Sequence, residues 1–352
     1  MIQSILMMLI LGALIFYPLD KSGLLSLEKE VFSTSQPYKV YFSKDGGEDF
    51  VKVKIKSYPD EKNFVFLPNE EDFLAFGKGK IFQGKREGGF LFAKISFKKI
   101  PSEIKLEKIK GVFWDREIFN KLYIIGEKER KSALFVSFDR GESVEVLYEM
   151  PFPERITAFS QDPFSPSILY LGTSKGNFLV SDNWGRTWKK EKSFEREIKK
   201  IEIDEDGKIY LFLERKKASL FSMPSPWSQD QPAEILVSED KGKSFKVFYK
   251  TFGKIKDFKV IKNEIILIED GKLFKLKNSQ KEKFPLPLEE EVFSFDVSSS
   301  FPNLLYIGGR NFLLKSEDGG KSFKNVFLPQ KGVVSQIQIH PQNPEIVLIF
   351  LR

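Results

Sequence analysis

The chain has 352 residues, with 56 Lys and Arg against 49 Asp and Glu, and a formal net charge of +7. It contains no cysteine and a single histidine, His340, which excludes disulfides, thiolate metal sites and cysteine nucleophiles. His340 stands in a His-Pro-Gln-Asn-Pro turn, where we expect a plain loop histidine rather than a catalytic base. No metal or other cofactor is predicted.

Charge is distributed as a mixture rather than in blocks. Lys and Glu interleave in runs such as 190–200, a pattern typical of a solvated surface, so we predict no nucleic-acid partner. Heavy use of Lys and Glu is also consistent with a thermophilic source.

The N-terminus differs from everything after it. Residues 5–17 are apolar and uncharged, a length that suits an export signal and is short for a full membrane span. No Lys or Arg precedes this run and no Ala-x-Ala cleavage site follows it, so an uncleaved anchor fits as well as a cleaved signal. A hydrophobic helix packed on the following domain is a third possibility. We predict a signal peptide or membrane anchor over 1–23, a linker over 24–36, a domain over 37–352 and an extracytoplasmic location, with membrane contact only through the N-terminal segment.

From residue 38 onward, short β-rich runs alternate with turns, and no window keeps a helical period. The clearest unit covers 155–190, with the runs RITAFSQ, ILYLGT and FLVS and a fourth strand starting at Trp188. The same order returns over 292–327, and Leu-Tyr-x-Gly recurs at 169–172 and 305–308. The sequence therefore predicts repeated four-stranded antiparallel sheets.

An eight-residue pattern, Ser, any residue, Asp or Asn, any residue, Gly, any residue, a small or polar residue and an apolar one, marks these units. It occurs at 43–50, 137–144, 181–188, 238–245 and 316–323. We interpret each copy as a hairpin turn in which the acidic or amide residue bonds the backbone two residues on and Gly takes a positive φ. The predicted turn residues are Asp45, Asp139, Asn183, Asp240 and Asp318. The closing residues Trp188, Phe245 and Phe323 are predicted to pack between neighbouring sheets.

The spacing of the turns predicts the number of units. With degenerate copies near 86–89 and 279–283, each unit averages about 45 residues, inside the ~40–50 expected for a propeller blade. The run at 39–43 reads as a third strand, while 333–339 and 346–351 read as a first and a second. Joining the two ends completes a composite blade, so we predict a single seven-bladed β-propeller of four-stranded antiparallel blades, closed by strands from both ends.

The turns at 181–188, 238–245 and 316–323, with the LYLG run before the first, resemble the Asp-box (BNR-type) repeats of bacterial sialidases, sortilin-type receptors, xyloglucan-cleaving glycosidases and photosystem II assembly factors. This resemblance covers nearly all of 38–352 and implies a propeller. The sialidase Arg-Ile-Pro motif has only Arg155-Ile156-Thr157 as a counterpart, and the cysteine-rich module of sortilin-type receptors has none. The single-ring assembly factors, which follow an export signal and bind proteins, match best in length and layout.

Candidate contact residues lie in the second-to-third and inter-sheet loops, which the repeat leaves free to vary. The longest loop, 216–233, carries Phe221, Met223 and Trp227, which suit a protein interface unless the loop folds back on its own sheet. Arg130 and Arg310 occupy equivalent loops of two other units, and 289–291 could bring a carboxylate towards the centre.

We therefore expect a non-enzymatic exported propeller that binds another protein through its loop face, as an assembly factor or scaffold, with a glycan as a possible ligand. The alternative is a glycoside hydrolase of the sialidase or xyloglucanase type, which needs two carboxyl groups about 5–10 Å apart in a cleft. A purely structural module is the third hypothesis. Calcium at the repeated turns is possible, although they lack the acidic ligands of a dedicated calcium loop.

Overall fold

A computed structural model describes residues 39–53, 64–66, 73–77, 80–87, 94–99, 106–216, 230–277, 280–287 and 289–352. These residues form strands and turns only, which confirms the all-β prediction. None of them belongs to a helix long and apolar enough to cross a membrane. The segments predicted as signal or anchor (1–23) and linker (24–36) lie outside the described residues.

The described strands, in chain order, belong to seven four-stranded antiparallel sheets. They are β1 (Lys39–Ser43), β2 (Val51–Lys52), β3 (Phe64–Phe66), β4 (Phe73–Gly77), β5 (Lys80–Glu87), β6 (Lys94–Lys99), β7 (Lys108–Trp114), β8 (Leu122–Lys128), β9 (Lys131–Ser137), β10 (Glu145–Glu149), β11 (Ile156–Gln161), β12 (Leu169–Thr173), β13 (Asn177–Ser181), β14 (Lys189–Ser193), β15 (Ile198–Ile203), β16 (Ile209–Leu213), β17 (Ala233–Ser238), β18 (Lys246–Thr251), β19 (Ile255–Ile261), β20 (Glu264–Glu269), β21 (Lys272–Lys277), β22 (Gln280–Lys283), β23 (Val292–Val297), β24 (Leu305–Gly309), β25 (Leu313–Ser316), β26 (Lys324–Val326), β27 (Val334–Ile339) and β28 (Val347–Leu351).

We number the sheets 1 to 7 in the order of their first strands, which are β3, β7, β11, β15, β19, β23 and β27. Sheets 1 to 6 each contain four consecutive strands, whereas sheet 7 has the order β27, β28, β1, β2. In sheet 7, β1 pairs with β28 from Lys39 opposite Leu351 to Ser43 opposite Val347. The predicted pairing between 39–43 and 346–351 is therefore present.

Neighbouring sheets pack against each other through apolar side chains. Separate core clusters join sheet 1 to 2, 2 to 3, 3 to 4, 4 to 5, 5 to 6 and 6 to 7. Sheets 7 and 1 meet where the ring of His340 lies edge-on to Phe66, with centroids 5.1 Å apart. Because sheets 2 to 6 each have a neighbour on both faces, their second strands are largely buried, and β12, β16 and β24, like β28 of sheet 7, are buried along their whole length.

The fourth strands have the opposite character, which explains the dense Lys and Glu of the sequence. β14, with sequence KKEKS, exposes four of its five side chains. Burial therefore decreases outward from the second strand to the fourth. One prediction needs correction: 280–283 is not part of a turn but the fourth strand of sheet 5, paired with β21, because its residues extend that hairpin.

The antiparallel order gives each sheet two ends. Turns from first to second and from third to fourth strands lie at one end, which we call the box face; the other turns and the loops between sheets lie at the loop face. Contacts between neighbouring sheets keep the ends aligned: Asn263 donates to Asp206 across two first turns (2.6 Å), and the Tyr306 hydroxyl of sheet 6 donates to the Gly46 carbonyl of sheet 7 (2.5 Å).

Candidate functional site

The five repeated turns share one hydrogen-bond arrangement. In each, the first serine hydroxyl donates to the oxygen of the Asp or Asn and accepts the glycine N–H at 2.7–2.8 Å. The Asp or Asn oxygen accepts the N–H of the residue four positions on, at 2.8–3.0 Å. The prediction that the Asp or Asn bonds the backbone two residues on was wrong, because the N–H at that position, which is the glycine N–H, donates to the serine hydroxyl instead.

In three of the five turns the glycine is required by contact as well as by backbone angle. A Cβ on Gly185 would lie 2.5 Å from Leu147, on Gly242 2.4 Å from Phe178, and on Gly320 2.1 Å from Phe284. Each of these neighbours belongs to the preceding sheet or the loop after it, so the glycine allows two sheets to approach.

The closing aromatic residues of the turns contribute to the same contacts between sheets. Trp188, Phe245 and Phe323 pack against the clusters that join sheets 2 to 3, 3 to 4 and 5 to 6. The prediction that they fill the space between sheets is confirmed.

The polar groups of the turns are used within the turns. The second carboxylate oxygens of Asp139, Asp240 and Asp318 accept serine hydroxyls at 2.5–2.6 Å. Hydrogen bonds from the hydroxyl and N–H of Ser244 lower the pKa of Asp240 to about 2. No group of three His, Cys, Asp or Glu among the described residues could hold a metal. These turns therefore act as structural elements.

A second repeated element was missed. The tyrosine at the second position of the second strands β8, β12, β16 and β24 is buried and lies near the box face. Tyr170 donates to Asp162 (3.1 Å) and Tyr210 to Asp204 (3.2 Å), each to an acidic residue of its own first turn. The recurrence of the tyrosine was the available signal, but its partner could not be read from spacing.

One first turn is also held by a buried ion pair. Lys121 Nζ lies 3.0 Å from Asp115, and their side chains are 5% and 0% exposed. Asp115 additionally accepts the N–H groups of Glu117 and Ile118 at 2.9 Å. Although burial raises the pKa of Asp115, these hydrogen bonds and Lys121 lower it overall.

The first strands of sheets 2 to 7 all contain a β-bulge at the same place, near the loop face. In each, one residue is left unpaired between two ladder pairs: Lys110, Thr157, Lys199, Lys256, Phe293 and Ser335. None of the six is buried. Since a bulge redirects a side chain, six side chains of different chemistry occupy equivalent positions on equivalent backbones. We call these six residues the bulge set.

Two members of the bulge set connect neighbouring sheets. The Thr157 hydroxyl donates to the Ile198 carbonyl of sheet 4 (2.8 Å), and Lys256 Nζ lies 4.8 Å from the centre of the Phe293 ring of sheet 6. Lys199 instead pairs with Glu197 and Glu214 at 3.0 and 2.9 Å.

A cavity of about 390 Å³ lies along the first strands of sheets 2, 3 and 4. Its apolar wall includes Phe113, Trp114 and Phe159, and its polar wall includes Arg116 and Glu202. Its volume is in the range of small-ligand sites. The buried Nε1 of Trp114 has no hydrogen-bond acceptor among the described residues.

The described first strands carry three carboxylates, and all three are ion-paired. Lys200 Nζ lies 2.9 Å from both Asp257 and Glu202. Lys259 pairs with Asp296, which also accepts the Val297 N–H (2.8 Å) and the Ile339 N–H of the next sheet (2.7 Å).

These contacts raise the pKa of both lysines. Burial lowers the pKa of Lys200, but Asp257 and Glu202 more than offset that effect and raise it. For Lys259 the burial effect is likewise reversed by Asp296, and its pKa is raised. Each of the three carboxylates is therefore in contact with a lysine ammonium.

Among the predicted contact residues, Phe221, Met223 and Trp227 lie outside the described part of the chain. Arg130 and Arg310 are exposed in the β8–β9 and β24–β25 turns, but their sheets, 2 and 6, are not neighbours. The structure therefore does not bring these two arginines into one site with each other.

Two further predicted positions lie at sheet boundaries. Within 289–291, Glu289 lies 3.7 Å from Lys283 and Glu291 lies against Gly271. His340 occupies a turn, as expected, but it is buried, and its Nδ1 accepts N–H groups of the next residues. It is a structural residue.

No family model and no curated protein matches the sequence. Solved structures do match. The GH74 xyloglucanase from Xanthomonas campestris is 17% identical with a TM-score of 0.59, covering 90% of this chain and 52% of its own. The structure of YCF48 bound to D1 peptide is 13% identical with a TM-score of 0.56, covering 84% and 100%.

A third match is the Pan2 WD40 domain from Neurospora crassa, at 11% identity and a TM-score of 0.57, covering 82% and 88%. The chain spans about half the length of the xyloglucanase. Identities this low establish the fold alone. The chain is a β-propeller, a fold that it shares with a xyloglucanase, with a protein solved bound to a peptide and with a WD40 domain.

Proposed function

We propose that this chain is a non-catalytic, extracytoplasmic protein-binding propeller. In this proposal the seven sheets are seven blades of one closed ring, with β1 and β28 completing the last blade, and the repeated turns are Asp-box turns. The pairing of Lys39 with Leu351 and the contact between Phe66 and His340 support closure. The first strands then surround a central channel whose mouth, at the loop face, carries the bulge set.

The pairing of the first-strand carboxylates carries the proposal. Glycoside cleavage requires one carboxyl group that gives a proton and a second that acts as base or nucleophile. Asp257, Glu202 and Asp296 each form an ion pair with a lysine, so every carboxylate of the described first strands already has a cationic partner. The bulge set, in contrast, varies in charge, size and polarity at fixed backbone positions, which suits recognition of a partner surface.

The loop at 216–233 is the second part of the proposed interface, through Phe221, Met223 and Trp227. Its base is closed by two backbone hydrogen bonds between Lys216 and Gln231, at 3.2 and 2.9 Å. A short Gly-Ser replacement of 217–229 should therefore leave the β16–β17 hairpin intact while removing the proposed contacts.

Photo-crosslinking tests the interface directly, because a chain without cysteine accepts single labels. Benzophenone attached at Lys199→Cys or Lys256→Cys should give one defined adduct in an envelope extract. The matched controls are Lys189→Cys and Lys246→Cys on exposed fourth strands. Equal adducts from all four positions would contradict a partner at the channel mouth.

Hydrolase activity is the competing outcome, and the fold shared with a xyloglucanase makes it worth testing. Release of reducing sugar from xyloglucan that is lost in Asp257→Asn or Asp296→Asn would overturn the proposal. If the crosslinked adducts from Lys199→Cys and Lys256→Cys are unchanged after replacement of 217–229, the loop is not part of the interface, which is then confined to the channel mouth.

A further inference from the structure

Each described junction between a fourth strand and the next first strand carries a phenylalanine: Phe152, Phe194, Phe252, Phe284 and Phe327. Two of them face inward, since Phe284 is 5% exposed and Phe194 packs against the cluster of sheets 3 and 4. The other three project outward, with Phe152 73%, Phe252 58% and Phe327 83% exposed. A phenylalanine ring at this junction can therefore be buried, yet at three of the five junctions the ring is exposed.

The outward position of these rings is supported by their surroundings. At Phe252, Arg215 donates to the backbone carbonyl (3.0 Å), and its guanidinium lies 5.6 Å from the ring. At Phe327, the following residue, Leu328, packs into the cluster of sheets 6 and 7, which directs the phenylalanine away from it. The three rings lie at the loop face, because every junction does.

The three exposed junctions are spread around the ring. Phe152 lies between sheets 2 and 3, Phe252 between sheets 4 and 5, and Phe327 between sheets 6 and 7. In the closed ring proposed above, two sheets separate the first junction from the second, two the second from the third, and three the third from the first. An ordinary protein interface buries roughly 800 Å² on each partner and would cover one sector of such a face. A flat surface can contact all three rings at once.

The charge beside the rings indicates which flat surface fits. Each exposed phenylalanine has a cation within four residues in the sequence: Arg155, Lys254 and Lys331 are examples. Lys256 of the bulge set lies on the same face, where Lys110 and Lys199 are ion-paired with Glu127 and with Glu197 and Glu214. Exposed aromatic rings flanked by Lys and Arg are the pattern with which peripheral proteins bind anionic lipid.

The path of the chain agrees with this orientation. β1 starts at Lys39 on the loop face, since it runs from there towards the turn at 43–50. The chain therefore enters its first described strand from this face. We propose that the loop face lies against an anionic lipid surface, with Phe152, Phe252 and Phe327 as three points of insertion. The proposal narrows the partner suggested above to one presented at a membrane.

Single fluorescent labels on the full chain test this orientation. NBD is attached at Phe152→Cys, Phe252→Cys and Phe327→Cys, and for comparison at Phe138→Cys, Phe164→Cys and Phe301→Cys. The latter three lie on the box face and are similarly exposed at 58%, 63% and 57%. With protein-free vesicles of phosphatidylglycerol and phosphatidylcholine, the loop-face labels should brighten and shift to the blue, and the box-face labels should not.

Replacing all three loop-face rings by serine should weaken vesicle partitioning by about a thousandfold, since each buried ring contributes roughly tenfold. A box-face response, or no response at any position, would overturn the proposal. So would a loop-face response that requires membrane protein extract. Because these vesicles contain no protein, failure here leaves the crosslinking test of a protein partner unaffected.

Discussion

Gly320 should be intolerant of any side chain. It has φ of 86°, and a Cβ at this position would lie 2.1 Å from Phe284 Cε1, well inside contact distance. Gly320→Ala therefore incurs the cost of a left-handed backbone, about 1–2 kcal/mol, together with an overpacking cost of about 1–3 kcal/mol. We expect a loss of roughly 2–5 kcal/mol in the free energy of unfolding.

The residue before it provides a matched control in the same turn. Gly319 also has positive φ, 74°, but its nearest neighbour for a Cβ is Asn303 Oδ1 at 3.6 Å. The equivalent positions of other turns hold non-glycine residues at similar angles: Arg140, Trp184 and Lys241. Gly319→Ala should therefore incur only the backbone cost, about 1–2 kcal/mol.

Urea unfolding followed by fluorescence measures both variants. Phe284→Leu, placed in the Gly320→Ala background, should recover part of the loss by relieving the overpacking, whereas alone it should destabilise the chain. Equal losses for Gly319→Ala and Gly320→Ala would refute the reasoning, because only the contact with Phe284 separates the two positions.

Three other predictions follow from the contacts above. Hydrogen bonds lower the pKa of Asp240 to about 2, so their stabilising effect is complete above the unfolded pKa near 3.8 and is lost as the pH falls through about 2. In acid titrations, Asp240→Asn should keep the turn and lose this pH dependence. Asp240→Ala should lower the urea midpoint at every pH. Lys121→Met leaves the buried carboxylate of Asp115 without its cation and should cost about 3–5 kcal/mol in urea unfolding, whereas the same change at exposed Lys189 should stay within about 0.5 kcal/mol. Tyr170→Phe removes the buried hydroxyl that donates to the acidic residue of its own first turn and should cost about 1–3 kcal/mol in thermal or urea unfolding; no loss would contradict its place in the network.

The parts of the fold that repeat in sequence were predictable. The pattern around Asp240 fixes a local turn, and the apolar run of β12 is typical of a strand buried on both faces. The pairing of 39–43 with 346–351 could also be predicted, since each end of the chain has half of the strands that a unit needs. Residues 280–283 were wrongly assigned to a turn rather than to a strand because the repeated turn pattern is degenerate there.

The candidate site was much less accessible to sequence reasoning. The bulge at Lys199 leaves no composition signal, because it depends on pairing with β16. The ion pair between Lys259 and Asp296 joins two sheets, so its partners are neither adjacent nor periodic in the sequence. Loop contacts such as those proposed for Trp227 remain a prediction, since that loop lies outside the described residues.

The shared sheet of β1 and β28 has a consequence for synthesis. β1 leaves the ribosome among the first described strands, yet one of its edges stays unpaired until Val347–Leu351 has been made. During that interval the chain presents an open strand edge, which invites pairing with other chains. A nascent chain of this protein should therefore depend on a holding factor, or on rapid export, more than a protein whose first strand finds both of its neighbouring strands early in synthesis.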